Sequence, residues 1–154
     1  MGLDVYLKGR KYVSGWGHES DEVKKQFTDL VKLAGLDELP CPASPSGYIE
    51  LTVAYWRKAN AIHKWFVDNC QDGLDECQTS YVDREQLKEL LDLCKKVAEN
   101  QKTGAEALPT ESGFFFGGTE YDDYYMEDIK LTIDQLEKVL VMDDGWEFAY
   151  QSSW

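Results

Sequence analysis

The residues best suited to chemistry lie close together, in Tyr55-Trp56-Arg57-Lys58-Ala59-Asn60-Ala61-Ile62-His63-Lys64-Trp65-Phe66-Val67. Read as a helix at about 100° per residue, Tyr55, Ala59, Ile62, His63 and Phe66 share an apolar arc, with Trp56 and Val67 at its edge. Arg57, Asn60 and Lys64 then form a polar row beside Trp56. An aromatic face, a planar cation and an amide are a suitable set for a nucleotide. Trp56 would stack on a base, Arg57 would grip a phosphate in a bidentate fork, and Asn60 would bond a base edge. His63 has two readings, a satisfied core histidine or a group that faces a ligand, because no triad or metal partner stands near it in sequence. Trp56 has the same two readings, since large aromatics dominate cores as well as binding sites.

A second suggestive stretch is Gly113-Phe114-Phe115-Phe116-Gly117-Gly118-Thr119-Glu120-Tyr121. Here Phe115 would cover a pocket built on the 55–67 helix, with Thr119 and Tyr121 at its rim. Glycines before a helix bind anions through backbone N–H groups, but Gly117-Gly118 fits neither the P-loop nor the dinucleotide fingerprint. Asp122 and Asp123 at that helix start also oppose an anion. No Gly-x-Ser-x-Gly or His-Glu-x-x-His motif is present, so no catalytic residue is assigned.

The elements that must hold these residues follow from periodicity. Leu3, Val5 and Leu7 alternate with polar neighbours, as do Ile49, Leu51 and Val53, and Trp146, Phe148 and Tyr150. Strands are therefore expected over 3–8, 48–54 and 146–152, with 113–116 as a candidate fourth, and with Leu51 and Val53 facing inward. Helices are expected over 20–34, 55–69, 83–99 and 121–140. Ser20 and Asp83 supply caps, and Val23, Phe27, Leu30 and Val31 give the first helix an inner face. Residues 36–47, with Pro40, Pro42 and Pro45, read as a stiff loop. The sum is one α+β domain over 1–154, a small mainly antiparallel sheet covered by about four helices.

Bulk properties bound the function. The chain has 154 residues with 43% apolar and 13% aromatic content, enough for a packed core. Its formal charge of −13 opposes nucleic acid and anionic membrane, and suits a basic protein partner or simple solubility. Cys41, Cys70, Cys77 and Cys94 have no zinc-site spacing, and Asp72-Gly73-Leu74-Asp75 does not match a calcium loop. No metal, cofactor or disulfide is therefore expected. Nothing near Met1 reads as a secretion signal and no long apolar run occurs, so the expected location is cytoplasmic.

Three blocks carry a resemblance. They are Tyr55-Trp56-Arg57-Lys58-Ala59-Asn60 with Ile62-His63 and Trp65-Phe66; Gly113-Phe114-Phe115-Phe116-Gly117 with Thr119-Glu120-Tyr121-Asp122; and Tyr150-Gln151-Ser152-Ser153-Trp154. With Met1-Gly2-Leu3-Asp4 they resemble a family of small proteins encoded by bacteriophages and prophages. The resemblance covers most of the chain beyond residue 48 and leaves 9–47 outside. It implies a phage accessory context, hence a host-cell cytoplasmic location, and carries over no catalytic residue; counter-defence is one role such a binding protein could serve. The leading expectation is a binding protein for a nucleotide-like host signal, using Trp56, Arg57, Asn60, His63, Lys64, Phe115, Thr119 and Tyr121. The alternatives are an acidic inhibitor of a basic host protein, and a small enzyme that uses His63 with a nearby carboxylate.

Overall fold

The computed structural model describes residues 2–36 and 45–154. The stiff loop expected over 36–47, with Cys41, lies largely outside the described residues. Four strands, β1 (Asp4–Ser14), β2 (Ser46–Arg57), β3 (Ser80–Val82) and β4 (Trp146–Ser153), form one antiparallel sheet in the order β2-β1-β4-β3. The helices are α1 (Asp21–Leu33), α2 (Asn60–Cys70), α3 (Arg84–Glu99), α4 (Gly104–Ala107) and α5 (Asp123–Leu140). This is the small α+β architecture that the periodicities predict. No helix among the described residues is long and apolar enough to cross a membrane.

The chain contacts divide into two compact units, Met1–Gly9 with Leu51–Trp154, and Arg10–Glu50. In the first, Val5 and Leu7 of β1, and Leu3 just before it, are fully buried, as the alternation requires. Phe148 and Tyr150 of β4 join them, and Tyr150 stacks on Phe66 of α2 at 4.5 Å between ring centres. Helix α3 buries Leu87, Leu90, Leu91, Cys94 and Val97, while α5 buries Ile129, Leu136 and Val139. Each such side chain contributes on the order of 1.5–3 kcal/mol when removed from water. The capping box at Asp83 and Gln86 fixes the start of α3, and Asp122 caps α5 by accepting from the Tyr125 amide at 3.1 Å.

In the second unit, Tyr12 packs edge-on against Tyr48 at 5.4 Å, and the Arg10 guanidinium lies 3.7 Å from the centre of the Tyr48 ring. Ser20 caps α1, as expected, but no residue of that helix is buried, which corrects the inner face predicted for it. Phe27 reaches only a half-buried position against Gly15, where an added Cβ would come within 2.8 Å of its ring.

Several boundaries differ from expectation for identifiable reasons. Strand β1 runs on to Ser14, and β2 runs on through Tyr55, Trp56 and Arg57, which the helical pattern had claimed. Residues 53–57 satisfy both periods, and the strand wins because it buries Ala54 and Trp56 together on one face. That phase turns Leu51 outward at 54% exposure and leaves Val53 half-buried, against the inward positions expected for both. The Phe114–Phe116 run forms a turn, closed by the Phe116 amide on the Gly113 carbonyl at 3.2 Å, and not a strand. The three-residue β3, paired antiparallel to β4 with Tyr81 opposite Ala149, is too short to show alternation in sequence.

Candidate functional site

The chain turns from β2 into α2 at Lys58, whose φ of 59° places it in the left-handed region. Its amide donates to the Leu3 carbonyl at 2.7 Å, which ties this corner to β1. Helix α2 therefore begins only at Asn60, with Ala59 as its N-cap. Ala59 offers no capping side chain, and the first turn of α2 contains no acidic residue. The first amides of any helix lack intrahelical partners, and its N-terminus carries a partial positive charge. By contrast, acidic residues occupy the first turns of α1, α3 and α5.

A cavity of about 290 Å³ lies against this helix start. One wall is Arg57, Lys58 and the first turn of α2, from Asn60 to Ile62. Gly117 and Gly118 form the second wall. Gly117 has a φ of 88°, and a Cβ there would sit 3.4 Å from the Lys58 carbonyl oxygen, so glycine meets both the conformation and the close approach. The third wall is α5, with Tyr124, Glu127 and Asp128, preceded by Glu120 and Asp122, so four carboxylates line the cavity with the two cations. Burial pushes the Asp128 carboxyl up to about 6, with smaller contributions from Glu127 and Asp122. Arg57 and Lys58 are exposed and make no ion pair with another described residue.

The structure separates the side chains that the sequence grouped. Arg57 and Asn60 line the cavity, but Arg57 is a strand residue, so the helical row with Lys64 does not exist. Lys64 pairs instead with Asp68 at 2.9 Å and lies 4.0 Å from Glu111, and its ammonium is held charged chiefly by the Asp68 hydrogen bond. Trp56 is fully buried and its indole N–H donates to Thr132 Oγ1 at 2.8 Å, so it has no face for a base. Asn60 is 4% exposed, and all its polar atoms are engaged. Its Nδ2 donates to the Phe116 and Gly118 carbonyls at 3.1 and 2.8 Å, and its Oδ1 accepts from the Glu111 amide at 3.1 Å. It is a fastener between α2 and the glycine loop, not a reader of a base edge.

His63 is also fully buried. Its Nδ1 lies 2.5 Å from the Tyr150 hydroxyl and its Nε2 lies 3.0 Å from Asp75 Oδ2. Burial lowers its pKa, against the opposing pull of Asp75, so the ring is neutral. The consistent tautomer has Nε2–H donating to Asp75 and Nδ1 accepting from the tyrosine O–H, because burial also raises the Tyr150 pKa and keeps its proton in place. Ser152 Oγ closes the set by donating to Asp75 Oδ1 at 3.4 Å. The carboxylate sought beside His63 is present, but neither ring nitrogen is left for a substrate.

The three remaining predicted residues fall elsewhere. Tyr121 packs edge-on against Tyr125 at 5.0 Å and accepts the Thr110 amide on its hydroxyl at 3.2 Å. Thr119 is exposed, and its carbonyl accepts from Thr110 Oγ1 at 2.9 Å. Phe115 lines a different cavity, with Phe114 and Trp154. Lys58, one of the three cations of the 55–67 stretch, and Tyr124, expected at the pocket rim with Glu120 and Tyr125, do line the cavity, whereas sequence reasoning passed over the α2 backbone and Asp128. The Gly117-Gly118 pair was the available signal, but the helix start it faces is that of α2, not of the α5 helix that follows it in sequence. No family model matches the chain, and no curated protein or solved structure matches it.

Proposed function

We propose that this chain is a binding protein that captures a small, phosphate-bearing, nucleotide-like molecule in the cavity at the start of α2. The observation that carries the reading is the placement of two exposed cations, Arg57 and Lys58, which make no ion pair with another described residue, at a helix start without a side-chain cap, in a chain of net charge −13. Glu120, Asp122, Glu127 and Asp128 line the same cavity, so the helix start and its two cations, not the cavity's net charge, would place the anion. Such a chain attracts no anion broadly, so an anion site needs a local concentration of positive charge. Backbone amides at a helix start and a guanidinium together supply the geometry and charge that phosphate uses. The α5 wall sets the other end of the ligand. Tyr124 offers a ring, and Asp128 offers a carboxyl that is part-protonated near neutral pH, able to exchange hydrogen bonds with an amino or imino edge. The volume lies at the low end for small-molecule sites, which favours one nucleotide unit. In the phage accessory context implied by the resemblance, capture would remove a host nucleotide signal.

Calorimetry against cyclic and linear nucleotides, with inorganic phosphate as the minimal probe, tests this. Wild type should bind at least one saturably. Arg57→Ala should lose about 1.5–3 kcal/mol of binding, the scale of a hydrogen bond to a charged group, with an unchanged melting temperature because Arg57 is exposed. Absence of binding to the whole panel would refute the reading. The acidic-inhibitor alternative would then lead, favoured by the ion pairs Lys25–Asp29, Lys88–Glu85 and Lys95–Glu137, which tie up surface lysines and leave carboxylates in excess. Its signature is a basic partner released as salt rises.

A further inference from the structure

A second cavity, of about 360 Å³, lies against the Phe114–Phe116 turn, and no function described above uses it. Phe114, Phe115, Phe116 and Trp154 supply its aromatic walls. Phe114 and Phe115 meet edge to face at 4.7 Å, as do Phe116 and Trp154 at 6.2 Å. Only Phe116 belongs to the core; Phe114 is 94% exposed and Trp154 48% exposed. Between these rings the wall is acidic, from Asp68, Asp75 and Glu111.

The charges around this cavity do not cancel. Lys64 is the cation beside Asp68 and Glu111, and the imidazole beside Asp75 is neutral. Three carboxylates against one ammonium leave two negative charges in excess. Ring faces carry negative electrostatic potential, so the aromatic walls act in the same direction as the carboxylates. An anion is repelled by both. A neutral apolar group would use the rings but strand the carboxylates in a drier setting, which costs free energy. A cation with an organic body satisfies both surfaces.

We propose that this cavity is a site for an organic cation, an ammonium or guanidinium group held between the aromatic walls and Asp75 and Glu111. The inference stands apart from the first cavity, which shares no lining residue with this one and holds the two cations Arg57 and Lys58. Two sources present this chemistry, a free small amine and a lysine or arginine side chain on a polypeptide.

The test titrates wild-type protein with choline, with agmatine and with an arginine-containing hexapeptide. The neutral choline isostere 3,3-dimethyl-1-butanol is the control. Calorimetry gives affinity, and the difference in tryptophan fluorescence between wild type and Trp154→Phe localises the event. Saturable binding of a cation is expected, weakened at least tenfold in Glu111→Gln and in Phe114→Ala. Both side chains are solvent-accessible, so both variants should melt as wild type does. Agmatine binding as tightly as the peptide assigns the site to small amines, and a much tighter peptide assigns it to a polypeptide side chain; either result supports the site. Binding of the neutral isostere as strong as that of choline, affinity unaffected by both substitutions, or no saturable binding at millimolar concentration would each overturn it.

Discussion

Replacing Asn60 by alanine separates a structural fastener from a ligand reader. The side chain spans from the first residue of α2 to three backbone groups of the 111–118 segment, at 3.1, 2.8 and 3.1 Å. It is 4% exposed, so the bonds are made largely without water. Each is worth about 0.5–1.5 kcal/mol net, and a group left buried without a partner costs about 1–3 kcal/mol. Gly118 is exposed and Glu111 half-buried, so water can replace the amide at two of the three places, leaving the Phe116 carbonyl as the group most isolated. The expected loss is then about 2–4 kcal/mol, or roughly 4–16 °C in melting temperature for a chain of this size. Urea unfolding with the slope held equal to that of wild type is the measurement. Asn60→Asp sharpens it. The carboxylate still accepts from the Glu111 amide but faces two carbonyl oxygens in place of its donors, so it should be worse than alanine at neutral pH. It should recover toward wild type as acid protonates it, because the protonated carboxyl regains a donor. A ΔΔG within about 0.5 kcal/mol of zero for Asn60→Ala, the range of an ordinary surface substitution, would refute this reasoning and return Asn60 to the ligand-binding set.

Other expectations follow from single observations. Asp128 has a carboxyl raised from 3.8 to about 6 when folded, so the native state holds a proton that the unfolded chain releases between those values. Its contribution to stability therefore rises as pH falls through 6 toward 4. Asp128→Asn should stabilise the protein above pH 7 by up to about 3 kcal/mol, at 1.36 kcal/mol per pKa unit. Paired melts should show that gain fading to nothing near pH 4. Gly117→Ala, at φ 88° and against Lys58, should cost about 1–3 kcal/mol, read by chemical unfolding. Burial pushes both the Cys70 and Cys94 thiols up to about 12, so neither should react with iodoacetamide in the folded state at pH 8, and both should react in denaturant. Peptide mapping of the alkylated protein is the check.

The sequence by itself determined the architecture. Alternation at Leu3, Val5 and Leu7 and at Phe148 and Tyr150 marked the two central strands, and the helical spacing of Leu87, Leu90, Leu91 and Cys94 marked α3. These patterns are readable because each element buries one face, and burial is periodic along the chain. The candidate site was only half legible. Arg57 and Asn60 were singled out, but the 53–57 stretch fits two periods, and only packing against Thr132 and Phe66 decides that Trp56 is a strand residue in the core. That decision moves the helix start to Asn60, removes Lys64 from the row, and exposes an uncapped N-terminus that no sequence pattern announces. The encounters of Gly117 with Lys58, of Asn60 with Glu111, and of His63 with Asp75 and Tyr150 were likewise set by tertiary structure. They join residues 12 to 87 positions apart, and sequence periodicity has no information about which distant segments close on one another.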